Sequence, residues 1–158
     1  MENEHQKWIS LAVQESFDGM NQEHGGPFGA VVVKNGELVS KGHNCVIKNN
    51  DPTAHAEVQV IREACLKLNS FQLTDCVIYT SCEPCPMCMG AIYWARPKAV
   101  YYANTKKDAA SIGFDDQFIY EELAVDLQHR KLSLIHINHP DAIKAFQEWQ
   151  SKNDKSLY

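Results

Sequence analysis

Long apolar runs are missing from this sequence. The longest, such as Gly29-Ala30-Val31-Val32-Val33, fall far short of the roughly 18 residues that a membrane helix needs, so no membrane partner is expected. An excess of positive charge is missing too. The 15 Lys and Arg stand against 20 Asp and Glu, a net charge of −5, which weakens any function built on polyphosphate chains. No low-complexity tract, linker or internal repeat occurs, and aromatic and branched aliphatic residues run along the whole length, which excludes a disordered chain. The stretch Met1-Glu2-Asn3-Glu4-His5 is acidic and polar, unlike a signal peptide, so a cytoplasmic location is expected. The 158 residues, 44% hydrophobic, are enough for a single domain, 1–158, with one buried core.

What is present in excess is cysteine. Of six cysteines, Cys82, Cys85 and Cys88 fall within seven residues. The even spacing of a disulfide scaffold is absent, and in a chain without a secretory leader such a cluster favours metal binding or catalysis. Cys45, Cys65 and Cys76 sit within apolar patterns and read as small core residues.

Periodicity places these residues on elements. Residues 4–20 read as a helix with Ile9, Val13, Phe17 and Met20 on one face, stopped by His24-Gly25-Gly26-Pro27. Residues 28–34 and 37–42 read as strands joined through Asn35-Gly36, a two-residue hairpin signal. Thr53 is the predicted N-cap of a helix over 54–68, with Val58, Ile61, Cys65 and Leu68 facing inward. A strand is predicted over 75–80 and a helix from Pro86 to about Ala95, ended by Pro97. Lys98–Ala103 reads as a strand and 115–123 as a short helix. Residues 131–137 alternate like a further strand, and a last helix after Pro140 carries Ile143, Phe146 and Trp149 as its apolar stripe. Strands alternating with helices imply an α/β fold, a central sheet covered on both faces.

Two short motifs carry chemistry: His55-Ala56-Glu57 and Pro84-Cys85-Pro86-Met87-Cys88, each at a predicted helix start. Helix starts present free N–H groups and a positive dipole end, which stabilise thiolates. Cysteines three apart share one helical face. With His55 they make three ligands of nitrogen and sulfur type, the set that leaves zinc a fourth position for water. Zinc lowers the pKa of such a water to about 7, and Glu57 stands where it can accept the proton and pass it on. The pair of motifs is the one known for zinc deaminases of nucleobases. A second reading adds Cys82 to close a four-ligand structural site, which would leave Glu57 without a role.

The wider sequence resembles a known family. Gly26-Pro27-Phe28-Gly29-Ala30-Val31-Val32-Val33, Asn50-Asp51-Pro52-Thr53-Ala54-His55-Ala56-Glu57 and Tyr79-Thr80-Ser81-Cys82-Glu83-Pro84-Cys85-Pro86-Met87-Cys88 are similar to the cytidine deaminase-like superfamily. Gly90-Ala91-Ile92-Tyr93-Trp94-Ala95-Arg96-Pro97 and Gly113-Phe114-Asp115-Asp116-Gln117-Phe118-Ile119-Tyr120, with a terminal tyrosine, resemble the bacterial guanine deaminases within it. The resemblance implies a three-layer α/β/α sandwich on a mixed sheet, one Zn2+ per subunit, and hydrolytic deamination of guanine to xanthine and ammonia in purine catabolism or salvage. Activated water would add to carbon 2 of the purine while Glu57 shuttles the proton, with the Cys85 backbone N–H steadying negative charge.

The resemblance also implies further site residues. Phe28 matches an aromatic that stacks on the purine; its other reading is core at a strand start. Asn44 matches a side chain that hydrogen-bonds the base, or is a plain turn asparagine. Asp116 matches a second carboxylate assisting the leaving ammonia; Asp115 competes for that role, and either suits a helix cap. Trp94 either walls the pocket or is core. Tyr158 matches a residue that closes over the partner's site in a homodimer whose segment of about 131–158 is exchanged. The remaining histidines, 5, 24, 43, 129, 136 and 139, lack ligand-like spacing and read as surface or loop residues, with a pocket-lining alternative for His43 beside Asn44.

Among functions sharing the zinc motif, a tRNA adenosine deaminase should carry a basic face. Here Lys144, Lys152 and Lys155 are mixed with Asp141, Glu148 and Asp154, so no nucleic-acid partner is expected. Guanosine and cytosine deamination are same-chemistry alternatives. From another class, a non-enzymatic zinc-stabilised binding module is the competing reading.

Overall fold

The computed structural model describes residues 2–158, with side chains from Glu4 onward. Met1 and the side chains of Glu2 and Asn3, part of the acidic N-terminal stretch, lie outside the described residues. The chain divides into two compact units, one through Gln117 and one from Phe118 to Tyr158.

The first unit opens with helix α1 (Glu2–Asn21), then strands β1 (Gly29–Lys34) and β2 (Glu37–His43), a short helix α2 (Val46–Asn49), α3 (Ala56–Leu68), β3 (Cys76–Cys82), α4 (Pro86–Ala95), β4 (Ala99–Asn104) and α5 (Lys106–Ser111). The strands form one mixed sheet in the order β2-β1-β3-β4. β1 runs antiparallel to β2 and β3, while β3 and β4 are parallel and joined through α4. The hairpin turn forms as predicted, with Asn35 at φ 52° and Gly36 at φ 79°, the positive values that a two-residue hairpin turn requires.

Alternation along β1 builds the layers. Ala30 and Val32 face one side and pack with Ala56, Val60, Ala64, Ile78 and Ile92 of the sheet, α3 and α4. Val31 and Val33 face the other side and pack with Trp8, Ala12 and Tyr79. The result is a three-layer α/β/α sandwich with α1 on one face and α3 and α4 on the other.

Two helix faces differ from the periodicity reading. In α1 the buried residues are Trp8, Ala12, Glu15, Ser16 and Gly19, while Phe17 and Met20 are exposed. The reason is close approach: a Cβ on Gly29 would lie 2.1 Å from the Ala12 carbonyl oxygen and 2.6 Å from the Ser16 nitrogen. Only small residues fit against the strand there, so the bulky residues flank the contact. In α3 the buried residues are Ala56, Glu57, Val60 and Ala64, with Ile61, Cys65 and Leu68 at the margin of the core. Its N-cap is His55, not Thr53. Thr53 instead donates from both its N–H and its hydroxyl to Asp51 Oδ1, at 2.8 and 2.7 Å.

The second unit holds nearly all of α6 (Gln117–Ala124), which begins at the last residue of the first unit, a 3₁₀ turn (Leu127–His129) and α7 (Ala142–Ser151). Residues 131–137 form no strand, contrary to the alternation pattern. Alternation marks two faces, but a strand also needs a hydrogen-bonded neighbour, and among the described residues none pairs with this segment. The stripe Ile143, Phe146 and Trp149 of α7 is exposed. Among the described residues no helix is long and apolar enough to cross a membrane.

Candidate metal and active site

The site is assembled from two helix starts. His55 is the N-cap of α3 and Cys85 the N-cap of α4, both in extended backbone conformation, and neither side chain caps its own helix. A Ser, Asp or Asn would normally occupy such a position and bond back to the helix. Here that stabilisation is given up, and both side chains turn toward each other instead. Pro86 fills the first helical position of α4, where its missing N–H costs nothing. Cys88 follows one turn along the same face.

His55 Nδ1 lies 3.5 Å from Cys85 Sγ and 3.5 Å from Cys88 Sγ. Tetrahedral zinc with ordinary Zn–S and Zn–N bonds places a nitrogen and a sulfur ligand about 3.5 Å apart. The three donors lie within 4.8 Å of one another, and their chemistry, one imidazole and two thiols, suits a zinc ion. Electrostatics point the same way. Hydrogen bonds from Cys88 and then His55 hold the Cys85 thiol down at about 4, against the opposing effect of burial. Cys88 is pushed up by the neighbouring Cys85 sulfur, by burial and by Glu57. An ionised Cys85 beside Cys88 and Glu57 is a group that a divalent cation would stabilise.

Glu57, two residues past His55, is buried in the first turn of α3. Its Oε2 accepts from Cys88 Sγ at 3.4 Å, and the Thr80 hydroxyl lies 3.1 Å from its Oε1. Burial raises its pKa above the ordinary carboxylate range, with bonds to its own backbone, Cys88 and Thr80 opposing. Thr80 on β3, a partner of this carboxylate, is a residue that the sequence reading missed; its signal is a polar residue in the inward pattern of a buried strand.

Cys82 stands apart from the three donors. Its Sγ donates to the Thr105 carbonyl at 3.6 Å, and burial pushes its thiol up to about 11. A protonated thiol turned to a carbonyl is a hydrogen-bonding group, and the structure does not bring it into the donor cluster.

The other expected residues are placed as follows. Phe28 lines a cleft of about 350 Å³ together with Pro27, Cys82 and Asn104. None of His55, Glu57, Cys85 or Cys88 lines that cleft. Phe28 also meets Phe114 edge to face, with ring centroids 4.9 Å apart, a second aromatic that the sequence reading did not single out. Asn44 is buried, and its Oδ1 accepts from Val46 N at 3.1 Å. Gly25 is obligatory beside it, because a Cβ there would fall 2.0 Å from Asn44 Oδ1. The adjacent aspartates differ: Asp115 Oδ1 accepts from Gln117 N at 2.9 Å, a local turn bond. Asp116 is half-buried, and burial is the first cause of its raised pKa, with the Cys85 charge contributing. Trp94 is 61% exposed on α4, so it is neither core nor part of the Phe28 cleft. Tyr158 is exposed in the second unit.

Comparison with known proteins agrees with this geometry. Residues 2–104 match the cytidine and deoxycytidylate deaminase zinc-binding region. The chain is 49% identical to a guanine deaminase of Bacillus subtilis (strain 168) over 98% of this chain and 99% of that one. The X-ray structure of guanine deaminase from Bacillus subtilis superimposes with a TM-score of 0.95, covering 98% of each chain. A guanine deaminase from Nitrosomonas europaea is 30% identical with a TM-score of 0.66, over 69% of this chain and 63% of that one. A tRNA-specific adenosine deaminase of Aquifex aeolicus (strain VF5) is 48% identical, but over only 51% of this chain and 54% of its own. The chain is therefore a member of the zinc-dependent cytidine and deoxycytidylate deaminase family, with the cytidine deaminase-like fold.

Proposed function

We propose that the protein hydrolyses guanine to xanthine and ammonia. The observation that carries the chemistry is the buried Glu57 carboxylate against a three-donor group fit for zinc. The likeness to guanine deaminase over almost the whole chain, against half-length likeness to tRNA-specific adenosine deaminases, supports the free base as substrate.

His55, Cys85 and Cys88 would hold the ion. When bound, zinc supplies a Lewis acid beside which a water ionises near pH 7. Glu57 takes a proton from the water that adds to carbon 2 of the purine, and delivers it to the adjacent ring nitrogen. It then takes the remaining proton from the hydroxyl now on carbon 2 and passes it to the amino group, which leaves as ammonia as the carbon–nitrogen bond breaks and that oxygen becomes a carbonyl. Thr80 keeps the carboxylate oriented through Oε1. Phe28 stacks on the purine, Asn44 hydrogen-bonds it, and Asp116 assists proton delivery to the leaving group. Trp94 contributes through its exposed face on α4. The same reading makes the protein a cytoplasmic homodimer of one deaminase domain per subunit. The exposed stripe of α7 supports an exchanged C-terminal segment with Tyr158 over the partner's site.

An ultraviolet assay of the purified protein on guanine, guanosine, cytosine and adenine tests the substrate. Guanine is expected to turn over fastest; turnover of cytosine or guanosine without guanine would overturn the assignment.

A further inference from the structure

We propose that His24, His43 and Cys45 form a second site for a divalent ion of the zinc class, separate from the His55, Cys85 and Cys88 group. One ligand atom from each of these three residues lies within 4.8 Å of the others. The two imidazoles face each other, with His24 Nδ1 2.8 Å from His43 Nε2 and ring centroids 5.1 Å apart. The two histidines are nineteen residues apart in the sequence, so no short-range spacing marks the pairing.

The proton arrangement at His43 is that of a metal ligand. Its Nδ1 lies 3.1 Å from Glu15 Oε2, and Glu15 Oε1 is paired with Lys41 Nζ at 2.7 Å. A carboxylate cannot donate, so Nδ1 carries the hydrogen and Nε2 keeps its lone pair, directed at His24. A carboxylate behind a histidine in this way fixes the ring orientation and the tautomer, as in carboxylate–histidine–zinc triads. Glu15 is buried on α1, and the His43 ring is seated against Gly19 of the same helix, where a Cβ would fall 2.5 Å from its Cδ2. The ring is thus held on two sides before any ion arrives. Cys45 is a free cysteine whose Sγ points to the His43 carbonyl at 3.4 Å.

Binding would move the His24 Nδ1 hydrogen to Nε2 through solvent exchange and release the Cys45 thiol proton, one proton per ion. Two nitrogens and one thiolate suit Zn2+, Co2+ or Cd2+ rather than Mg2+ or Ca2+. The ion would tie the loop before β1 to the end of β2, on either side of Asn44.

The test uses the purified protein carrying one zinc per chain. Co2+ is titrated in equilibrium dialysis with both metals counted, alongside thiolate-to-cobalt charge-transfer absorption and proton release in weak buffer. One cobalt is expected to bind without loss of the resident zinc, with the thiolate band and about one proton released. His24→Ala and Cys45→Ser should each weaken that equivalent about tenfold or more while the first zinc stays. The retained zinc and unchanged circular dichroism show that the variants are folded. No further equivalent in the parent protein, or unchanged cobalt affinity in either variant, overturns the site.

Discussion

The group around His55 and the group around His24 contain the same kinds of donor within the same 4.8 Å span, yet they are built by different rules. In the first, two donors share one helical turn and the third sits at the N-cap position of another helix, so local geometry positions the cysteine pair. In the second, the donors come from the loop before β1, the end of β2 and the residue capping α2, and only the packing of α1 on the hairpin brings them together. The carboxylates differ as well. Glu57 touches Cys88 Sγ directly, whereas Glu15 stands behind His43 and is occupied by Lys41. On the proposed reading the first group moves protons to a substrate, and the second holds an ion without doing so.

Substitutions that spare the donors sharpen this contrast. The largest effect is expected from Glu57→Gln, which keeps the shape but removes the proton acceptor. Turnover should fall by about 10²–10⁴-fold with the zinc content unchanged; comparable turnover in a zinc-loaded variant would remove Glu57 from the chemistry, and steady-state kinetics with metal analysis decides. Glu15→Gln is the matching change at the other group. It should weaken the additional cobalt equivalent by about 10–100-fold and leave the first zinc and guanine turnover within about twofold of the parent. An effect on turnover as large as that of Glu57→Gln would erase the distinction between the two carboxylates. The smallest effect is expected from Cys82→Ser. Because this thiol is held protonated and donates to Thr105, zinc stoichiometry by atomic emission should remain one per chain at the first group. Loss of that zinc would restore the closed four-ligand site.

Much of the first unit was legible because its signals are local. Asn35-Gly36 specified a turn, and Pro86 with cysteines three apart specified a helix start carrying two sulfurs on one face. The helix faces were less legible. Periodicity marked Phe17 and Met20 of α1 as inward, but the contact with Gly29 admits only small residues, so Ala12 and Ser16 face the strand. The segment 131–137 shows the same limit in another form, since alternation does not supply a pairing partner.

The sequence by itself determined the zinc-type donor set, the carboxylate that accompanies it and the alternation of strands and helices that produces a covered sheet. The cysteine pair and the placing of Glu57 beside His55 depend on spacings of two and three residues, which a helical turn or an N-cap converts directly into geometry, whereas the approach of His55 to cysteines thirty or more residues on needs α3 and α4 on the same face of the sheet. The tertiary structure decided the rest: that Cys82 turns away to Thr105, that Asp116 is half-buried, and that His24 meets His43 and Cys45. Each of those outcomes depends on which elements pack together across long stretches of chain, and no short-range spacing encodes that.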